Sequence, residues 1–242
     1  MDILKPYMFT NNTIKKRETV INNFLSEVKI PNISMNKDMN TEAKVSNKTS
    51  NIYTSMYKDK LFWYFYIILK GMDAYNMVGT NVFKTEKDFK INAIELLRNH
   101  KVNLKVIKLK LSDIENDLIN TKTISIKTLE ALCLVYKQSI IYIKNNIYYD
   151  FNYGTKYGII VCGMDNRRTE SIELNPKSER VIEIQKTKYL MSPGKSMKAI
   201  SGYTLDNLQE ISRRLKIKLS DDNGKKRTKK SLYEEIQQKI GI

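Results

Sequence analysis

Six consecutive residues near the C-terminal end, Lys225, Lys226, Arg227, Thr228, Lys229 and Lys230, carry the most pointed chemistry of the chain. Five cations around one hydroxyl can gather a polyanion, because ammonium and guanidinium groups donate strong charge-assisted hydrogen bonds to phosphate oxygens. The run precedes Leu232, Ile236 and Ile240, which stand four apart with Tyr233 beside them. That spacing predicts a short amphipathic helix with Thr228 as its N-cap. Cations at a helix N-terminus oppose the dipole and typically cost roughly 0.3–1 kcal/mol each at low salt. The same place offers free backbone N–H groups that collect anions, and a phosphate backbone resolves the conflict. A preceding amphipathic helix is predicted from Leu205, Leu208, Ile211, Ser212 and Leu215, capped by Thr204. It ends in Arg213 and Arg214, so the expected phosphate contacts are Lys225, Lys226, Arg227, Thr228, Lys229, Lys230, Arg213 and Arg214.

Other reactive groups are few. The single histidine, His100, closes a predicted helix, where an imidazolium suits the dipole. Cys133 lies on an apolar helix face, the usual setting of a small buried thiol, and Cys162 is far from it in sequence. Two cysteines and one histidine supply no zinc cluster. Neither a phosphate-binding nucleotide loop nor a dinucleotide fingerprint occurs. Glu86, Asp88, Asp113, Glu115 and Asp117 fall on faces expected to meet solvent. The expectation is a non-enzymatic protein with no catalytic residues, no metal and no cofactor.

The formal charge of +16 favours an anionic partner. Only 8 of the 42 basic residues are Arg, and Lys, Asn, Ile and Tyr share A/T-rich codons, so genome composition accounts for part of the total. Local clustering is the better guide. Residues 195–242 hold 12 basic against 6 acidic residues, and three of the eight Arg, at positions 213, 214 and 227. The N-terminus lacks a signal pattern, and the longest apolar run, Leu61 to Leu69, is too short for the about twenty residues of a spanning helix. A soluble, intracellular chain without membrane partners is expected.

These residues need elements to hold them. A helical arm is predicted within residues 1–30, about Thr13 to Val28, followed by a polar flexible connector over 31–55. The body spans 56–191. It opens with a buried helix over Leu61–Leu69, closed by Gly71, for which its aromatic and β-branched content makes a buried strand the alternative, and a helix from about Glu86 to Asn99. A half-exposed strand is read over Leu104–Leu111, then a helix opened by a Ser112/Glu115 capping box, then one capped by Ser125. From Ser139 the period changes to two. Strands are predicted at Ser139–Lys144, Ile147–Phe151, Tyr157–Cys162 and Val181–Gln185, the first two joined at Asn145-Asn146. The fold class is α+β, a mixed helical and antiparallel-sheet body, with a breaker linker over 192–202 and a helix–loop–helix module over 203–242.

The module resembles a SAP domain in Tyr203, Leu205, Leu208, Ile211, Leu215 and Ile217, then Gly224-Lys225, Thr228-Lys229, Leu232 and Ile236. The resemblance implies that the connecting loop and the start of the second helix face duplex DNA. Most of the chain also looks like a family of uncharacterised proteins of nucleocytoplasmic large DNA viruses. The likeness runs through LFWYFYIILK, EKDFKINAIELLR, KTLEALCLVY and AISGYTLDNLQEI. Where that family places a Cys after Phe-Trp, this chain has Tyr64. An apolar helix followed by helices and a late sheet also resembles papain-like cysteine proteases, which implies a degenerate fold without activity, since Tyr64 and Phe65 stand where a nucleophile belongs.

The expected function is a DNA-binding accessory protein. Its tail would meet double-stranded DNA, mainly nonspecifically, and its body an unidentified protein partner, in the host nucleus, a cytoplasmic viral factory or the virion. With about four to five phosphates neutralised, log K against log salt should fall with a slope of roughly −4. A scaffolding virion protein is the alternative, and the basic run also fits a nuclear import signal.

Overall fold

The computed structural model describes residues 55–162, 170–221 and 224–241. The predicted arm and, apart from Ser55, the predicted connector lie outside these residues. Among the described residues the chain is mixed α+β, with nine helices and a five-strand sheet.

Helix α1 (Lys60–Lys70) is apolar on every side and accordingly central, with Phe62, Trp63, Tyr64 and Phe65 fully buried. Asp59 caps it by accepting the Phe62 N–H. A short α2 (Met72–Asn76) leads to α3 (Val82–Asn99), which turns Ala93, Ile94 and Leu97 inward as the spacing predicts. The expected strand at Leu104–Leu111 is instead α4 (Lys101–Val106) and a tight turn. Leu104 and Leu109 are buried and Val102 and Val106 exposed, a helical arrangement that alternation with lysine had imitated. Helix α5 (Leu111–Asn120) follows, without the expected capping box. It starts two residues early, with Lys110 at the N-cap, Ser112 donates to Asp113, and the Glu115 carboxylate pairs with Arg98 of α3 at 2.7 Å. Helix α6 (Ile126–Tyr136) is capped by Ser125 as expected.

Strands β1 (Ser139–Lys144), β2 (Ile147–Phe151) and β3 (Tyr157–Cys162) match the predicted bounds. With β4 (Glu170–Leu174) and β5 (Tyr189–Leu190) they form a sheet in the order β4-β3-β1-β2-β5. The sheet is mixed rather than an antiparallel meander. β1 pairs antiparallel with β2 but parallel with β3, and β2 pairs parallel with β5. The cause is the crossover after β2, which passes the start of β1 instead of turning back on β2. The buried Ser139 Oγ accepts the N–H groups of Tyr153 and Gly154 and donates to the Gly154 carbonyl. A Cβ on Gly154 would overlap the Lys137 carbonyl oxygen, so only glycine fits this crossing.

The strand expected at Val181–Gln185 is part of helix α7 (Ser178–Thr187). Ile184 is buried and Ile182 exposed, so the short apolar run obeys helical rather than alternating spacing. α7 covers one sheet face through Val181 and Ile184 against Ile141, Ile143, Tyr148 and Ile159. The other face, with Ile140, Tyr142, Tyr149 and Ile160, joins the main core under α1, α3 and α6. Helices α8 (Leu205–Arg214) and α9 (Lys229–Ile240) lie in contact with each other. Leu208, Leu215, Leu232, Ile236 and Ile240 belong to the same main core.

Candidate nucleic-acid interface

Both C-terminal helices begin as their sequences require. Thr204 and Asn207 form a reciprocal capping box on α8, and Thr228 Oγ1 accepts the Ser231 N–H at 3.2 Å on α9. The helices face each other through Leu208, Ser212, Leu215, Leu232 and Ile236, all buried. Helix α8 ends with Lys216 at φ 57°, and the Ile217 N–H returns to the Ser212 carbonyl.

The described residues of the connecting loop on either side of 222–223 are tied to each other by hydrogen bonds. The Arg227 N–H donates to the Leu219 carbonyl at 2.9 Å, Ser220 and Lys226 form an antiparallel bridge, and the Asp221 N–H donates to the Lys225 carbonyl at 2.9 Å. Asp221 Oδ1 accepts the Lys225 N–H at 2.8 Å, and Gly224 turns the chain at φ 75°. These bonds present Lys225 and Lys226 as exposed side chains beside the first turn of α9, which holds the half-exposed Lys229 and the exposed Lys230. The first turn of α9 carries no acidic residue, so the electropositive end meets four lysines.

The eight expected contacts do not share one fate. Among the described residues Lys225, Lys226 and Lys229 have no ion-pair partner, and Lys230 lies 3.9 Å from the exposed Glu234. Arg213 is exposed and Arg214 sits 3.3 Å from Glu210. Thr228 is exposed, and its hydroxyl keeps a proton to donate while its oxygen caps the helix. Arg227 is turned inward. Its guanidinium pairs with Glu235 of α9, and its Nε donates to the Ser220 carbonyl at 3.2 Å. Arg227 thus ties the loop to the helix. Glu235 carried no local signal, because its partner comes from a loop whose return path depends on residues on both sides of the turn. Lys216 and Lys218, both exposed, add to the same end of the module.

Elsewhere His100, Cys133 and Tyr64 occupy structural positions. His100 places Nδ1 2.8 Å from the Leu96 carbonyl. Burial pushes the Cys133 thiol well up, so the thiolate that nucleophilic chemistry needs is suppressed. Tyr64, at the position compared above with a protease nucleophile, is fully buried, and its hydroxyl accepts the Ser55 N–H at 3.4 Å. Among the described residues no three His, Cys, Asp or Glu side chains converge as a metal site, and no helix is long and apolar enough to cross a membrane.

Comparison with protein-family profiles, with characterised proteins and with solved structures returns no match.

Proposed function

We propose that the chain is a non-enzymatic DNA-binding accessory protein of a large DNA virus, acting in the host nucleus, the viral factory or the virion. Its SAP-like C-terminal pair rests on duplex phosphates while its body engages a protein partner. The observation that carries this reading is the set Lys225, Lys226, Lys229 and Lys230, held by a hydrogen-bonded loop at the N-terminus of α9 without acidic residues in its first turn. Lysines fixed there repel one another and the helix dipole until an anion joins them. Phosphate contacts of this kind position a protein without reading sequence, so binding is weak, salt-sensitive and largely nonspecific.

Each lysine that releases a counterion contributes about 0.9 to the slope of log K against log salt, so the four together contribute about 3.6. Replacing Lys225, Lys226, Lys229 and Lys230 by Ala, with Arg227 left in place to hold the loop, is expected to lower the slope by that amount. An unchanged affinity and slope in the quadruple variant would overturn the reading. A scaffolding virion protein is the alternative. It predicts co-purification with a capsid or core component and indifference to DNA.

A further inference from the structure

The cations held in place by the fold do not stop at the helical pair. We infer that the strap between β5 and α8, residues 191–204, is the second half of the nucleic-acid footprint, with Lys195, Lys198 and the adjoining Lys127 of α6 as phosphate contacts; this rests on the DNA reading above.

The strap begins with Ser192-Pro193-Gly194-Lys195, closed by the Lys195 N–H on the Ser192 carbonyl at 3.1 Å, with Gly194 at φ 68°. That is the geometry in which Pro sets the first corner and Gly the second. A Cβ built on Gly194 would meet Lys127 Cε, the far end of a flexible side chain. Lys127 therefore lies over the turn that carries Lys195. Met197 is 7% exposed and pins the strap inward between two exposed lysines. The Lys198 carbonyl accepts the Tyr233 hydroxyl of α9 at 2.9 Å. Lys229 stands four residues before Tyr233, on the same helix face, about 5–6 Å away at Cβ. The row thus runs from α6 across the strap to α9 and onto the loop.

Lys127, Lys195 and Lys198 are exposed and have no ion-pair partner among the described residues, and residues 191–204 contain no acid. Lys127 also stands in the first turn of α6, which holds no acidic residue, repeating the arrangement at α9. A row of like charges on three elements, fixed by backbone hydrogen bonds and with its apolar Met197 turned away, suits a polyphosphate better than a protein surface.

The test uses the full chain and a short mixed-sequence DNA duplex over a salt series. Lys127→Ala/Lys195→Ala/Lys198→Ala is expected to lower the slope by about 2.7, at about 0.9 per cation. The quadruple loop variant is expected to keep that remainder instead of falling to zero. A triple variant with the unsubstituted slope overturns the strap's part and leaves the loop's part standing. Absence of binding by the unsubstituted chain overturns the DNA reading itself. Polyglutamate competing as well as the duplex at equal charge overturns the assignment to nucleic acid.

Discussion

Three lysines sit in the left-handed backbone region where helices usually end on glycine: Lys108 after α4, Lys137 after α6 and Lys216 after α8, at φ 62°, 52° and 57°. Behind each, the next N–H returns five residues, from Leu109 to Leu104, Gln138 to Cys133 and Ile217 to Ser212. The chain has only 9 glycines in 242 residues, and the ends are made with the residue it has in excess. A side chain there strains the backbone, so Lys216→Gly is expected to stabilise the fold by about 0.5–1 kcal/mol. A urea midpoint that moves downward in this variant would count against the assignment. Ser212, fully buried between α8 and α9, has an Oγ without a hydrogen-bond partner. Ser212→Ala is expected to raise stability by about 1 kcal/mol in the same measurement, since it removes a desolvated hydroxyl and breaks no bond. The caps at Ser125, Thr204 and Thr228 were legible because each bond closes within three residues. The pairing of Arg227 with Glu235 was not legible, because it is set by the loop's return.

Two carboxylates hold elements together. Asp59 is 2% exposed and accepts the Phe62 N–H of α1, the Ile124 N–H before α6 and Lys90 Nζ of α3 at 2.9 Å, and Glu86 takes a second proton of Lys90 at 2.7 Å. Asp59→Ala leaves a buried ammonium short of a partner and two N–H groups unbonded, and is expected to cost about 3–5 kcal/mol in denaturant unfolding. Asp117 of α5 accepts Thr128 Oγ1, the Ser125 N–H at 2.8 Å and Thr121 Oγ1 at 3.0 Å, tying α5 to the start of α6. Burial raises its pKa, but those hydrogen bonds outweigh burial and hold the carboxyl below 3.8. Its contribution is therefore present above about pH 4 and lost as the pH falls through the lowered value. Asp117→Ala is expected to be less stable by about 1–2 kcal/mol at neutral pH and to lose part of the acid dependence below pH 4. Elements whose own period is unambiguous, such as α3 and the β1–β2 hairpin, were readable from sequence, whereas α1, apolar on every side, was equally open to a buried strand. The parallel β1–β3 pairing was not, because it depends on Ser139 capturing the crossover loop. Nor was α7, where five residues fit both periods.

At the scale of the molecule, the helical pair is joined to the body by the Tyr189–Tyr203 hydroxyl pair at 2.9 Å, Asn146 Nδ2 on the Lys239 carbonyl at 2.7 Å, and Tyr233 on the strap. With the apolar side chains of both in one core, residues 55–241 are expected to unfold in a single calorimetric transition; two separated transitions would refute this coupling. Tyrosines give the fold an alkaline limit. Burial holds Tyr136 up at about 12 and raises Tyr148, Tyr149, Tyr157 and Tyr189 as well. The folded chain keeps protons that the unfolded chain sheds above pH 10, so stability is intact below 10 and falls as the pH climbs through the raised values. Denaturant midpoints measured from pH 8 to 12 check that direction. The tie between Arg227 and Glu235 has a consequence for kinetics. A loop already folded around its lysines need not rearrange on encounter, so duplex capture should run as a single diffusion-controlled phase whose rate drops steeply with salt. Glu235→Gln weakens the clasp without removing a lysine from the surface. It should open a slower, salt-insensitive rearrangement phase, while the acid it removes leaves the salt-dependent steering no weaker.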